Sequence, residues 1–411
     1  MAERTLNEGT GRGRKSYKVM SERFWISRMT RLPCALLLSV TAVIAGGVPA
    51  AARQSKRAGN DPVAEPAVSA ILAAFDKFQV VAIPEGHGMQ DEDAFLLNLI
   101  RNPGFSDRVN DIEVECGNSL YQPVLDRYIA GEEVPFAEVR KVWRNTTQTT
   151  CGTWAFFEQF FPLVRAINQK LPAEKRLRVL AGDPPIDWEL VKEPEDAAKF
   201  FNRDATIATI MEREVLARHR KALMLFGLFH LLHGVRSAVS IYEKDYPNAT
   251  YVISGLGIFE ADLPTLAGSS FASWPVPSLV RAKGTWLGGL DLSHFVPAPT
   301  MLSPDCSIHT GFPKQLQRPM EDYVDAFLYL GPQSLKLKEK MPADVALDTE
   351  YMKELERRES VTGWGVGGLQ DFLQHAVANA ENPLLVVPKP PDPNLEIQAC
   401  LERKKSNKSP Q

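Results

Sequence analysis

The sequence predicts an α/β fold, a largely parallel sheet covered by helices on both faces. Three observations predict it. Apolar runs of strand length recur along the chain, with β-branched residues in Phe78–Pro84 and a wholly apolar run in Ala222–Phe226. They are apolar throughout rather than alternating, as strands buried on both faces are. Stretches with apolar residues at helical spacing separate them, which is the order of βαβ units.

Pro66–Lys77 opens the series as a helix, with Val68, Ile71, Leu72 and Phe75 on one stripe and a proline suited to its first position. The strand Phe78–Pro84 follows. Phe95, Leu96, Leu99 and Ile100 mark a helix over Asp91–Arg101, which Asn102-Pro103-Gly104 stops. Asp111–Cys116 is the next strand and Ser119–Ala130 a helix. Phe136–Arg144 and Trp154–Lys170 are two more helices, the second strongly amphipathic. Leu177–Gly182 is a strand that Asp183, Pro184 and Pro185 end. Arg203–Arg218 is a long helix, Ala222–Gly227 a very apolar strand, His230–Tyr242 the helix after it, and Tyr251–Ser254 another strand. Residues 260–320 are rich in Pro, Gly and Ser and are expected to run as long excursions over the sheet. Ala326–Gly331 is the last strand, with helices at Ala343–Arg358 and Asp371–Ala380. One α/β domain thus spans 66–387, after a linker at 53–65 and before a tail at 388–411 whose Pro-rich and Lys-rich composition predicts disorder.

Residues 1–52 stand outside this scheme. The apolar run Cys34–Ala45 follows Arg28 and Arg31 and precedes small residues suited to cleavage, the pattern of a secretory signal peptide behind a basic lead. A secreted or periplasmic location follows from that reading, with membrane contact only through an uncleaved signal segment. The full chain has 47 Lys/Arg and 50 Asp/Glu; the first 52 residues hold eight and three of them, which leaves 39 basic and 47 acidic. That balance argues against a nucleic-acid partner and leaves a small-molecule or peptide substrate. Cys116, Cys151, Cys306 and Cys400 show no spacing of a disulfide framework or zinc site, and Cys116 reads as a free buried thiol.

Four strand exits carry ionisable groups: Glu85 with His87, then Glu115, Asp183 and His230. Parallel strands bring their carboxyl ends to one edge, where open α/β sheets bind ligands, so these side chains are expected to share one crevice. Glu85 and His87, two apart on an extended segment, leave one face together. Polar residues after strands also serve as helix caps and turn starters, the plainer reading for Asp183 and Glu115. Glu113 shares the strand face of Glu115 and is expected in an ion pair with Arg127 or Arg203. His233 alone reads as surface or packed. There is no His-Glu-x-x-His helix, nucleophile elbow or phosphate loop. Gly363–Gly368 has dinucleotide spacing, but no strand precedes it, and it reads as a loop.

Pro84-Glu85-Gly86-His87 and Gly227-Leu228-Phe229-His230 resemble the paired Gly-x-x-His motifs of the superfamily joining ChaN-like haem-binding uptake proteins, Tiki-type metalloproteases and erythromycin-esterase-like proteins. Val114–Asn118, Leu125–Tyr128, Val142–Arg144, Leu180–Pro185 and Arg203-Asp204 resemble an exported bacterial branch of it. The resemblance implies that Glu85, His87, Glu115 and His230 serve catalysis, or metal or haem contact. Pro84 replaces the usual glycine and fixes the turn's φ.

Three readings follow from the residues and the resemblance together. The first is a hydrolase of ester or amide bonds, with Asp183 also among its catalytic groups. Either His87 works as a base oriented by Glu115, or His87, His230 and one carboxylate such as Glu115 hold zinc, manganese or cobalt. Arg203 is a candidate for orienting a carboxylate or binding an anionic intermediate. The second is an envelope protein that binds haem or iron, with His87 or His230 as the axial ligand and Trp143, Tyr121 and Trp188 flanking an apolar crevice. The third is a non-catalytic envelope protein that keeps the fold.

Overall fold

The computed structural model describes residues 59–86, 88–256, 271–295, 300–302, 307–332, 335–339, 341–362 and 401. The leader at 1–52, the loop Gly363–Gly368, the helix expected at 371–380 and the tail from 388 therefore lie outside the described residues, apart from Leu401.

Eight strands form the main sheet: β1 (Ala64–Pro66), β2 (Val80–Pro84), β3 (Asp111–Asn118), β4 (Arg178–Asp183), β5 (Ala222–Phe226), β6 (Thr250–Leu256), β7 (Ser278–Arg281) and, after a separate hairpin of β8 (Thr300–Leu302) and β9 (Ile308–Thr310), β10 (Ala326–Tyr329). Their order is β1-β7-β10-β6-β2-β5-β3-β4. From β10 through to β4 every pairing is parallel; β7 runs antiparallel to both β10 and β1. The central strands β2 and β5 are buried at every residue, as continuous apolar runs require.

Alternation divides the core into two layers. Val81, Ile83, Leu223, Leu225, Ile112 and Val114 pack on one face with the helices α1 (Ala67–Ala74), α2 (Gln90–Arg101), α4 (Gln122–Ala130), α5 (Phe136–Arg144) and α6 (Ala155–Asn168). A short α3 (Pro103–Ser106) leads from α2 into β3. Val80, Ala82, Met224 and Phe226 face the other way, against α8 (Arg203–Glu214) and α9 (Ala238–Tyr242); α7 (Pro194–Ala198) packs with Trp188 in a satellite cluster. The sheet is covered on both faces, as the composition of its strands predicts.

Several elements differ from expectation for local reasons. The helix over His230–Tyr242 is a 3-10 turn, Leu228–His230, and the separate α9; Gly234 at φ 65 breaks it and Ser237 caps α9 by accepting from the Ser240 N–H. Within 260–320, β7 enters the sheet, held by its register with β10 rather than by any pattern of its own. The last two residues of the expected linker belong to β1. The helix over Ala343–Arg358 divides at Asp348 into Ala343–Leu347 and Thr349–Thr362.

Two features lock the carboxyl side of β3 and β4. Cys116 is not free: it is bonded to Cys151, with the two Cα atoms 5.5 Å apart across a separation of 35 residues. Spacing alone does not reveal this, because the turn at Thr149–Thr153 brings the second cysteine back over β3. At the sheet's outer edge, the Gln122 amide donates to the Val179 carbonyl and accepts from the Ala181 N–H, both at 2.8 Å. One side chain takes the place of a neighbouring strand.

Candidate functional site

The chain runs from β2 to β3 and β4, then inserts β5 between β2 and β3 before crossing to β6 on the far side of β2. Strand order reverses here, which is where open sheets leave a crevice at their carboxyl ends. The register of β3 with β4 also shifts between Val114 and Asn118, so Glu115 sits in an irregularity of the kind that re-aims side chains. Gly117 faces Ala181, whose Cα lies 2.8 Å from where a Cβ would stand, so only glycine permits this approach.

Glu115 is 2% exposed and doubly engaged: Oε2 accepts the Gly227 N–H at 2.5 Å and Oε1 accepts from Arg203 Nη2 at 2.8 Å. Arg203, the first residue of α8, also donates through Nε to Asp183 Oδ1 at 3.0 Å. Asp183 is fully buried and takes two further bonds of 2.6 Å, from the N–H and hydroxyl of Thr147. Burial pushes the Asp183 carboxyl up against the opposing pull of Arg203 and Thr147. For Arg203, desolvation is outweighed by Glu115 and Asp183, and the guanidinium is held above its ordinary value. Asn118 fastens the surrounding loops, donating to the carbonyls of Asn145 at 2.6 Å and Ile186 at 2.8 Å.

His230 completes the group. Its Nδ1 lies 2.7 Å from Asp204 Oδ1, and Nε2 stands 3.5 Å from Arg203 Nη1 and 3.8 Å from Glu115 Oε1. A carboxylate oxygen beside Nδ1 and a guanidinium N–H beside Nε2 favour the tautomer with its proton on Nδ1, whose Nε2 accepts from Arg203. Arg203 Nη1 is the one guanidinium nitrogen without a carboxylate hydrogen bond among the described residues. An imidazole nitrogen and a guanidinium donor thus face each other.

Glu115, Asp183 and His230 are therefore in one connected network, through Arg203. His87 lies outside the described residues. Glu85 leaves the neighbouring strand, its N–H donating to the Phe226 carbonyl at 3.1 Å, but its carboxylate belongs to a second buried group with Glu92, Asp93 and Glu339. Burial, then Glu339 and Glu85, pushes Asp93 up to about 11; burial and Glu85 push Glu339 up to about 8. The segment around Glu339 straps this loop, with Glu339 N–H to the Gly88 carbonyl at 2.9 Å.

Other expectations are corrected. Among the described residues Glu113 forms no ion pair: Arg203 is taken by Glu115 and Asp183, Arg127 by Glu132, and both Glu113 oxygens lack a hydrogen-bond partner at 0% exposure. Trp143 flanks no crevice; it is buried in the core, stacked on Phe161. His233 is clamped between Glu243 at 2.8 Å and Asp325 at 3.1 Å. Asp204, Thr147 and the Gly227 N–H were not singled out as site groups. Asp204 follows Arg203 at a helix start, where an acid is ordinary, so only its pairing with a strand-exit histidine distinguishes it.

The residues on view do not fit a metal ion. Between His230 and Glu115 stands the Arg203 guanidinium, and a cation there would have to displace it. Among the described residues no group of three or more His, Cys, Asp or Glu is arranged as a ligand set.

No family model matches the chain, and no curated protein matches it. Solved structures do resemble it. An erythromycin esterase, EreC, in its open conformation is 9% identical, covers 64% of this chain and 93% of its own, and gives a TM-score of 0.40. A succinoglycan biosynthesis protein is 11% identical, with coverage of 67% and 94% and a TM-score of 0.42. ChaN of Campylobacter jejuni, described with cofacial haem, is 13% identical over 46% of this chain and 84% of its own, with a TM-score of 0.30. At these identities and scores the likeness is no more than one of fold.

Proposed function

We propose that this protein is an exported hydrolase of ester or amide bonds whose base is His230, oriented by Asp204. The carrying observation is the 2.7 Å contact between Asp204 and Nδ1, which leaves Nε2 to face Arg203 Nη1 at 3.5 Å. Nε2 takes a proton from water as the water oxygen attacks the carbonyl carbon; the resulting oxyanion is stabilised by Arg203, and the imidazolium returns the proton to the departing alkoxide or amine. Glu115 and Asp183 hold the guanidinium rather than the substrate. This route needs no metal, and it revises the expected pairing of His87 with Glu115. Export is supported by the leader's pattern and by the buried Cys116–Cys151 bond, since such bonds persist in oxidising compartments. No helix among the described residues is long and apolar enough to cross a membrane.

The test is a panel of chromogenic esters and peptides, with and without chelator. Turnover is expected to vanish in His230→Ala, to fall roughly a hundredfold or more in Asp204→Asn, and to survive chelation. Turnover that persists in His230→Ala would refute the proposal. A hemin Soret shift lost in that same variant, with no turnover of any ester, would favour haem binding instead.

A further inference from the structure

Residues 145–148, between α5 and the turn at Thr149–Thr153, belong to no helix or strand. Their path matters to the site. Thr147 gives Asp183 two of its hydrogen bonds, and Asp183 in turn accepts from Arg203 Nε at 3.0 Å. A helix end leaves its last carbonyls without partners inside the helix, so whatever answers them fixes where the chain goes next. Side chains from three other places do so. The Arg144 carbonyl accepts from Arg358 Nη1 at 2.7 Å, the Asn145 carbonyl from Asn118 at 2.6 Å, and the Thr146 carbonyl from Trp188 Nε1 at 3.1 Å. Asn118 ends β3 and Trp188 follows β4. Arg358 comes from the helix Thr349–Thr362, beyond the last strand of the sheet.

Arg358 is 2% exposed, and each of its nitrogens is engaged. Besides the Arg144 carbonyl, Nη2 donates to Asn145 Oδ1 at 2.6 Å and Nε to Glu354 Oε1 at 2.8 Å. Its Cζ lies over the Trp188 ring, 4.7 Å from the centroid, so it also holds the indole that reaches Thr146. Arg357 beside it donates to the carbonyls of Trp188 at 2.7 Å and Val191 at 2.8 Å. The helix thus grips two loops, 144–146 and 188–191, one on each side of Asp183 in the sequence. A planar fork supplies two angled N–H donors and a stacking face together, which a lysine does not.

We infer that Arg358 is a positioning residue for Arg203: it holds residues 144–146 so that Thr147 meets Asp183, and Asp183 then seats the guanidinium beside His230. Arg358 acts through the loop and not on a substrate. The consequence for turnover rests on the hydrolase reading; the seating of Arg203 does not.

Full-length Arg358→Lys, which keeps the charge, and Arg358→Gln, which removes it, are compared with wild type. Exchange of the Arg203 Nε proton, followed by NMR, is expected to quicken about tenfold in both variants as its bond to Asp183 loosens, while the backbone N–H groups of β5 exchange as in wild type. Unchanged exchange at Arg203, or an equal quickening in β5, would overturn the inference whether or not any ester is turned over. On an ester that the wild type hydrolyses, kcat is expected to fall roughly tenfold to a hundredfold with KM held within about twofold, because a donor to the oxyanion acts in the transition state. Thr147→Val breaks the relay one step nearer Asp183, so in that background Arg358→Lys should cost much less of kcat. An equal loss in both backgrounds, or unchanged kcat despite quickened exchange, would also overturn it. If the wild type hydrolyses nothing while Arg203 exchange quickens as expected, the hydrolase reading falls and the positioning role stands.

Discussion

Glu113 gives the sharpest quantitative test of the packing. It lies in β3 between Asp111, which is bound by Arg220 at 2.6 Å, and Glu115, all three on the sheet face covered by α8 and α9. Among the described residues neither oxygen has a partner, and burial, aided by Asp111, pushes the carboxyl well above its ordinary value of 4.5. The folded protein therefore holds this proton to higher pH than the unfolded chain does, and folding above pH 4.5 takes up protons. Because the folded value is raised, the associated stability is complete below pH 4.5 and lost as pH climbs above it. Glu113→Gln keeps the shape and removes the titration. Urea unfolding followed by tryptophan fluorescence should show the variant gaining on wild type as pH rises from 4.5 to 7, by about 1.4 kcal/mol for each pH unit over which the folded group holds its proton and the unfolded one does not. Groups that titrate identically in both proteins cancel from that difference. If the gap between variant and wild type is the same at both pH values, Glu113 is not held neutral and the reasoning fails.

Two further expectations concern stability. His233 is pushed up to about 9, desolvation being outweighed by Asp325 and Glu243. Its contribution is full below pH 6.5 and lost as pH rises through 9, on the order of 3 kcal/mol; thermal melts of His233→Gln should lack the alkaline decline that wild type shows between these values. The disulfide closes a loop of 35 residues, so replacing Cys116 and Cys151 by alanine should cost about 4 kcal/mol. Denaturant midpoints should drop accordingly, and reductant should then have no effect on the variant; an unchanged midpoint would refute it.

How much of this was legible in the residues depended on whether the signal was local. α5 begins and ends where its apolar spacing and flanking Pro135 place it, and β5 is read directly from its apolar run. β1 and β7 have three and four residues and owe their conformation to pairing, so no local pattern marks them. At the site, Glu115, Asp183 and His230 stood out as ionisable groups at strand exits, and parallel topology supplied the prediction that they meet. The identity of each partner was not readable. Arg203 bridges Glu115 and Asp183 across 88 and 20 residues, a pairing that no spacing in the sequence encodes. Asp204 and Thr147 act through contacts whose distances no spacing encodes.

The Gln122 amide on β4 also bears on how the protein behaves in company. A sheet that ends in bare backbone can recruit another chain and keep growing. Here the outward carbonyl of Val179 and N–H of Ala181 are already answered by a side chain anchored in α4. Addition of another strand along that margin would first have to displace the Gln122 amide from both groups.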